Sequence, residues 1–254
     1  MTLPEETEAA TDWTGRPFSC QDCPHNELRA GGRCVLGRIC VRDARSRRID
    51  AFFSKNSETA GAYIDHLYFE VRALAAKYAT VFQIVRLMSD REPEVRAMVA
   101  LRLPLSRVKD MRGDKDRAVR IACALRLEGA DLVAMAEDED EQVRLTVARR
   151  LDPLVLPMMI GDRAPAIRRV AASRLPPERL FALIHDADPL VRRDAAERIA
   201  PDALAQLHDD PDLRVRFVVA DRAPREIAVR LINDPDEEVA LRAKERMDET
   251  NSQA

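Results

Sequence analysis

The sequence predicts an all-α protein: a thin, curved solenoid of helical repeats behind a small four-cysteine metal segment. Three observations carry this reading. The first is a repeat of 24 residues that runs from about residue 63 without a slip in phase, a period that marks an array of stacked supersecondary units. The second is composition, since only 4% of the 254 residues are aromatic and Ala, Leu, Val and Arg are plentiful, a balance that favours helix over sheet. The third is that Cys20, Cys23, Cys34 and Cys40 stand close together, leaving Cys123 alone in the rest of the chain.

In chain order, residues 1–12 read as a flexible acidic leader, without the basic and apolar regions of a secretory signal. Residues 13–62 hold the metal segment, with spacing C-x2-C-x10-C-x5-C. A short C-x2-C turn aims two sulfurs at one centre, and two more return after a loop. No apolar run is long enough to span a membrane, so the chain is expected in the cytoplasm, where thiols stay reduced and clustered cysteines serve metals. Four thiolates can hold a tetrahedral zinc ion or an iron–sulfur cluster, and spacing hardly separates them. Pro24 directly after Cys23 leans toward iron, because Cys-Pro occurs in ferredoxin ligand runs.

Arg16, Arg29, Arg33, Arg38, Arg42, Arg45, Arg47 and Arg48 surround the ligands, against Asp22, Glu27, Asp43 and Asp50. Either they form a basic shell for an anionic cluster or several simply sit in solvent. Gly31, Gly32 and Gly37 suit close passage of backbone around a metal core, and Trp13 and Phe18 are expected to shield it.

Residues 63–247 form about eight repeats, followed by a polar tail at 248–254. Every 24th position is Val71, Val95, Val119, Val143, Ile167, Val191, Val215 and Val239. An arginine follows each as far as Arg216, and Ala240 breaks the row. Five residues before the valine stands an aspartate from Asp90 to Asp234, with His66 in the first unit. Three residues before it an acid is usual, and Pro93, Pro165 and Pro189 follow at that point, which reads as an N-cap with Pro at N1. From there Val95, Val99, Ala100 and Leu103 make an apolar stripe, with alanine recurring at the Ala100 position so that neighbouring helices approach closely. About eight residues remain for a second segment, such as that of Leu180 and Leu183, enough for two turns or a 3₁₀ piece.

The pattern D-x4-V-R-x3-A-x2-R-L, joined to the four-cysteine segment, resembles the leucine-rich repeat variant family first described in a nitrogen-fixing bacterium. The resemblance covers residues 13–247. It implies a right-handed superhelix of alternating α and 3₁₀ helices without sheet, and a [4Fe-4S] cluster on Cys20, Cys23, Cys34 and Cys40. It also implies a link to nitrogen-fixation gene neighbourhoods, and no catalytic activity is established for the family.

Four cysteine ligands leave no open iron for Lewis-acid chemistry, no nucleophile–base pair recurs in register, and no phosphate loop is present. The expectation is therefore a protein that is not an enzyme: a scaffold binding a protein partner, with a redox or electron-transfer role for the cluster. Nucleic-acid binding, with the cluster structural, is the alternative carried by the arginine rows. Scarce lysine, interleaved acids and a net charge of −3 count against it. A structural zinc cap is the third reading, and nothing suggests a membrane partner. The arginine rows are expected to form ladders between repeats and to cap helix ends, and Cys123 fills a core slot. His25, His66, His185 and His208 share no ligand spacing and are expected at the surface or at caps.

Overall fold

Each repeat begins with a helix of about ten residues because its aspartate, its N-cap acid and its Val-x3-Val/Ala stripe all point the same way. The computed structural model describes residues 11–21 and 23–251. The principal helices are α1 (Ser46–Lys55), α2 (Phe69–Tyr78), α3 (Pro93–Arg102), α4 (Arg117–Ala124), α5 (Glu141–Arg150), α6 (Pro165–Arg174), α7 (Pro189–Ala196), α8 (Leu213–Arg222) and α9 (Glu237–Asn251). Between them lie short 3₁₀ pieces such as Ser57–Tyr63, Pro177–Leu183 and Pro201–Leu207, or single α-turns that tighten into 3₁₀ as at Leu105–Val108 and Lys109–Met111. Among the described residues the only β contacts are two isolated bridges, Thr11 with Pro17 and Val35 with Ile39. Residues 1–10, including most of the expected leader, lie outside the description.

The chain divides into two compact units after Asp131. In the first, α1 to α4 pack each on the next; in the second, α5 to α9 do the same. The valine row is at most 1% exposed, and the alanine row from Ala100 to Ala220 is fully buried. Each buried valine contributes roughly 1.5–3 kcal/mol of transfer free energy, and each alanine keeps the helix axes close. The 3₁₀ pieces close the core from the other side with Leu156, Met159, Leu180, Leu183, Leu204 and Leu207.

The expected caps are present in part. Asp116, Asp140, Asp188, Asp212 and Asp236 each accept a backbone N–H two residues on. Glu92 makes no such bond, because its extra methylene carries the carboxylate past the first turn, and Ala164 has no acceptor to offer. At the other end, α9 runs on through residues 248–251 of the expected tail, since nothing after Arg246 is Gly or Pro. Residues 252–254 lie outside the description.

Both arginine rows act between repeats. Arg72 donates from Nε to Asp90 Oδ2 and from Nη2 to Asp90 Oδ1, each at 2.8 Å, a bidentate pair between one repeat and the next. Arg96 with Asp114, Arg144 with Asp162, Arg168 with Asp186, Arg192 with Asp210 and Arg216 with Asp234 repeat the geometry. The remaining nitrogen, Nη1, reaches back to carbonyls of the turn before its own helix, as from Arg96 to Asp90 O at 2.8 Å. Each aspartate also accepts the N–H two residues ahead, as Asp162 does from Ala164 at 2.8 Å. His66 takes over that job in the first unit, its Nδ1 accepting from the N–H of Tyr68 at 3.1 Å. The second row caps the preceding helix rather than its own. Arg102 donates to Ala76 O and Ala79 O at the end of α2, and Arg174 to Ala148 O and Leu151 O at the end of α5.

The ladder makes stability depend on pH in a known direction. Burial pushes Asp90, Asp114, Asp162 and Asp186 up, but the guanidinium bonds and the backbone N–H outweigh it and hold each carboxyl below its ordinary 3.8. At Asp234 the Arg216 bonds dominate, with the same net direction. A depressed folded value means the stabilisation is complete above the unfolded value and is lost as pH falls through the folded one. Thermal melts are therefore expected to show no ladder-driven change between pH 7 and about 4, and a progressive loss below about 4. A main transition above about pH 5 would assign acid sensitivity to other groups.

Candidate metal centre

Local turns bring the cysteines into place. The N–H of Cys23 donates to Cys20 O at 3.3 Å, and that of Asn26 to Cys23 O at 3.1 Å, folding the C-x2-C run into consecutive turns. Cys34 and Cys40 flank a tight hairpin in which Val35 and Ile39 exchange backbone bonds of 2.9 and 2.8 Å. Gly37 sits at its tip with φ +72°, a left-handed conformation that glycine adopts without steric cost. Cys40 is tied to α1 through its N–H, which donates to Arg48 O at 3.1 Å. Asn56 at the end of α1 donates to Arg33 O at 3.0 Å, fixing the residue before Cys34.

Cys20, Cys34 and Cys40 are at most 8% exposed, and Cys23 is half-buried. Burial pushes the Cys40 thiol up to about 12, and the neighbouring Cys34 and Cys23 push it the same way. Burial likewise raises Cys34, helped by Cys23 and Cys20, while the charge of Arg29 opposes the rise. The four predicted residues thus act on one another electrostatically. The Arg42 N–H opposes the rise at Cys40, and Cys40 opposes the rise at Cys34.

The donor set is all sulfur. Among the described residues, no group of three or more His, Cys, Asp or Glu side chains is arranged to hold a metal ion. Tetrahedral zinc with bonds of about 2.3 Å holds its sulfurs about 3.8 Å apart. Thiolates alone suit either that ion or the corners of an iron–sulfur cluster.

Sequence reasoning missed the layer behind the sulfurs. His25 stands at the N-cap of the 3₁₀ turn Asn26–Arg29, as expected, but is half-buried: its ring lies 5.0 Å from that of Phe52, and Nε2 is 2.5 Å from Tyr63 Oη. Burial lowers His25 and raises Tyr63 to about 12, with Cys23, Cys40 and Cys34 adding to the latter. The two residues are 38 positions apart, so no local pattern could have paired them. Trp13 is a correction of another kind. It is 43% exposed and stacks on Tyr68 at 5.7 Å, which fastens the segment to the first repeat. Phe18 lies under the Arg42 guanidinium at 4.9 Å.

The arginines divide. Arg33, Arg42 and Arg48 are half-buried and engaged, Arg48 with Asp43 at 3.0 Å, whereas Arg16, Arg29, Arg38, Arg45 and Arg47 are exposed. Asp22 lies outside the described residues. Cys123 is fully buried in α4, its thiol 3.6 Å from Val108 O and pushed by burial up to about 12, as a core residue should be.

Residues 10–62 match the family described as the LRV protein FeS4 cluster. A solved structure described as a leucine-rich repeat variant with a novel repetitive protein structural motif is 36% identical and aligns with a TM-score of 0.83. The alignment covers 89% of this chain and 97% of that one. This chain belongs to the leucine-rich repeat variant family. An uncharacterized 27.7 kDa protein from the nifB 3′ region of Rhodobacter capsulatus is 42% identical over 91 residues. That stretch is 36% of this chain and spans 37% of the length of the relative. The leucine-rich repeat variant fold and an iron–sulfur segment are therefore the frame for its function. No helix among the described residues is long and apolar enough to cross a membrane.

Proposed function

We propose that this leucine-rich repeat variant chain is a non-enzymatic interaction module that holds a [4Fe-4S] cluster on Cys20, Cys23, Cys34 and Cys40 and works by redox response or electron delivery to a cytoplasmic protein partner. The observation that carries the reading is the folding of four cysteines into adjoining turns, three of them buried, with Cys34 acted on by Cys20 and Cys23 and Cys40 by Cys34 and Cys23, against an aromatic layer. Buried thiols whose deprotonation is this disfavoured become thiolates when a cationic centre draws them, and iron–sulfur assembly supplies one. A cluster so held supplies one-electron chemistry. Around it the chain does the rest: Asn56 and Arg48 hold the ligand loops, Phe52 and Tyr63 exclude water, and the Arg42 N–H stabilises charge on sulfur. The nif-region relative supports a setting in nitrogen fixation.

The scaffold part rests on the ladders. Both arginine rows are spent on neighbouring repeats, so they offer no continuous track to a phosphate backbone, and a protein partner is the better match to the remaining surface. Anaerobic purification followed by iron and sulfide counting, visible absorption and electron paramagnetic resonance tests the reading. About four irons and four sulfides per chain, with a signal on dithionite reduction, are expected. One zinc and no iron would replace the redox role with a structural cap. An iron cluster that dithionite leaves unchanged would restrict it to stapling the segment to the repeats.

A further inference from the structure

The outer wall of the cysteine hairpin has a chemistry that the cluster does not need. A cleft of about 750 Å³ lies between residues 35–39 and the first turn of α1, lined by Arg38, Arg45, Arg47 and Arg48. Its position is close to the sulfurs, since Cys34 and Cys40 are the ends of that hairpin. Arg48 is engaged by Asp43, whereas the exposed Arg38 and Arg47 have no side-chain hydrogen bond or ion pair among the described residues.

The charge there is contrary to helix electrostatics. An N-terminal turn normally draws acids, yet α1 has no acid in its first turn and has arginine at its N-cap and at Arg47 and Arg48. Local rules broken at this density point to a function imposed from outside. The wider segment is charged alike: residues 11–62 hold nine basic against six acidic side chains, in a chain whose net charge is −3. At the hairpin tip Val35 and Leu36 are 36% and 37% exposed, so apolar surface stands beside the guanidiniums. Arginine around a small apolar centre is the anatomy of a protein interface.

We propose that this cleft is the docking site for an acidic protein of the electron-carrier kind, with Arg38 and Arg47 pairing with its carboxylates and Val35 and Leu36 forming the apolar contact. The proposal rests on the interaction-module reading above and names its surface and the charge of its partner. A protein suits the cleft better than a nucleic acid, because the patch is compact and the arginines of the repeats are already committed.

The test uses the full chain with its cluster assembled anaerobically, and an oxidised, acidic plant-type [2Fe-2S] ferredoxin as probe. Association is followed by biolayer interferometry from about 0.02 to 0.2 M salt, beside R38E/R47E and a duplex oligonucleotide. Wild type is expected to bind the ferredoxin with an association rate that falls at least tenfold over that range. R38E/R47E is expected to lose at least tenfold in affinity while keeping its visible absorption. Equal binding by the two proteins, no binding by cluster-loaded wild type, or duplex binding that alone disappears in the variant would each overturn the proposal. A colourless wild type that still binds ferredoxin in the salt- and charge-dependent manner would instead remove the redox reading and keep the surface.

Discussion

Cys40→Ser is expected to yield a protein with less than about a tenth of the wild-type iron and with an N-terminal segment that has lost its protease resistance. Cys40 is the most deeply buried of the four candidate ligands. It is 2% exposed, and its N–H is bonded to Arg48 O. Serine offers a harder, shorter ligand at the corner of a soft-ligand site. Apart from its cysteines, the segment between residues 13 and 62 buries only Val41, Ile49, Phe52, Phe53 and Ala60 as apolar core, so its folding free energy is expected to depend on a bound centre. The repeats bury their own valines and are expected to keep their helical circular dichroism. Iron analysis, the visible spectrum and limited proteolysis read the three parts separately. Retention of iron at the wild-type level would remove Cys40 from the ligand set.

Arg144→Met is expected to destabilise the second compact unit by about 3–5 kcal/mol, more than any surface ion pair in the chain could account for. Arg144 and Asp162 are 5% and 7% exposed in their side chains, the pair is bidentate at 2.8 and 3.1 Å, and Arg144 also donates to Asp138 O at 2.8 Å. Removing the guanidinium leaves a buried carboxylate with only the Ala164 N–H and strands a backbone carbonyl. The double change Arg144→Met with Asp162→Leu removes the stranded charge and is expected to recover part of the loss. Urea unfolding of the three proteins reads this. A single variant within about 1 kcal/mol of wild type would mean that the ladder contributes specificity of register and little stability.

The ladder also shows how far residue order can be read as structure. Aspartate and arginine recur at fixed offsets, so an inter-repeat pairing was legible, as were the alanine row, the 3₁₀ second segment and the core role of Cys123. The direction of the second arginine row was not: Arg174 lies in the last turn of α6, yet it caps α5, because helices packed through alanines bring that turn beside the previous helix end. The candidate site divides in the same manner. Its sulfurs are close in sequence and were visible at once. Its supporting layer, His25 on Tyr63 and Phe52, Trp13 on Tyr68, and Asn56 on Arg33, joins residues 23 to 55 positions apart that carry no common motif.

By itself, then, the order of residues determined period, helix starts, buried rows and the four sulfurs, because each depends on the chemistry of side chains at short, repeated spacing. Which guanidinium meets which carbonyl, which rings lie behind the cysteines, and which arginines are left facing water were decided only when the chain packed. Those outcomes depend on distances between segments remote in sequence, and local propensity has no term for them.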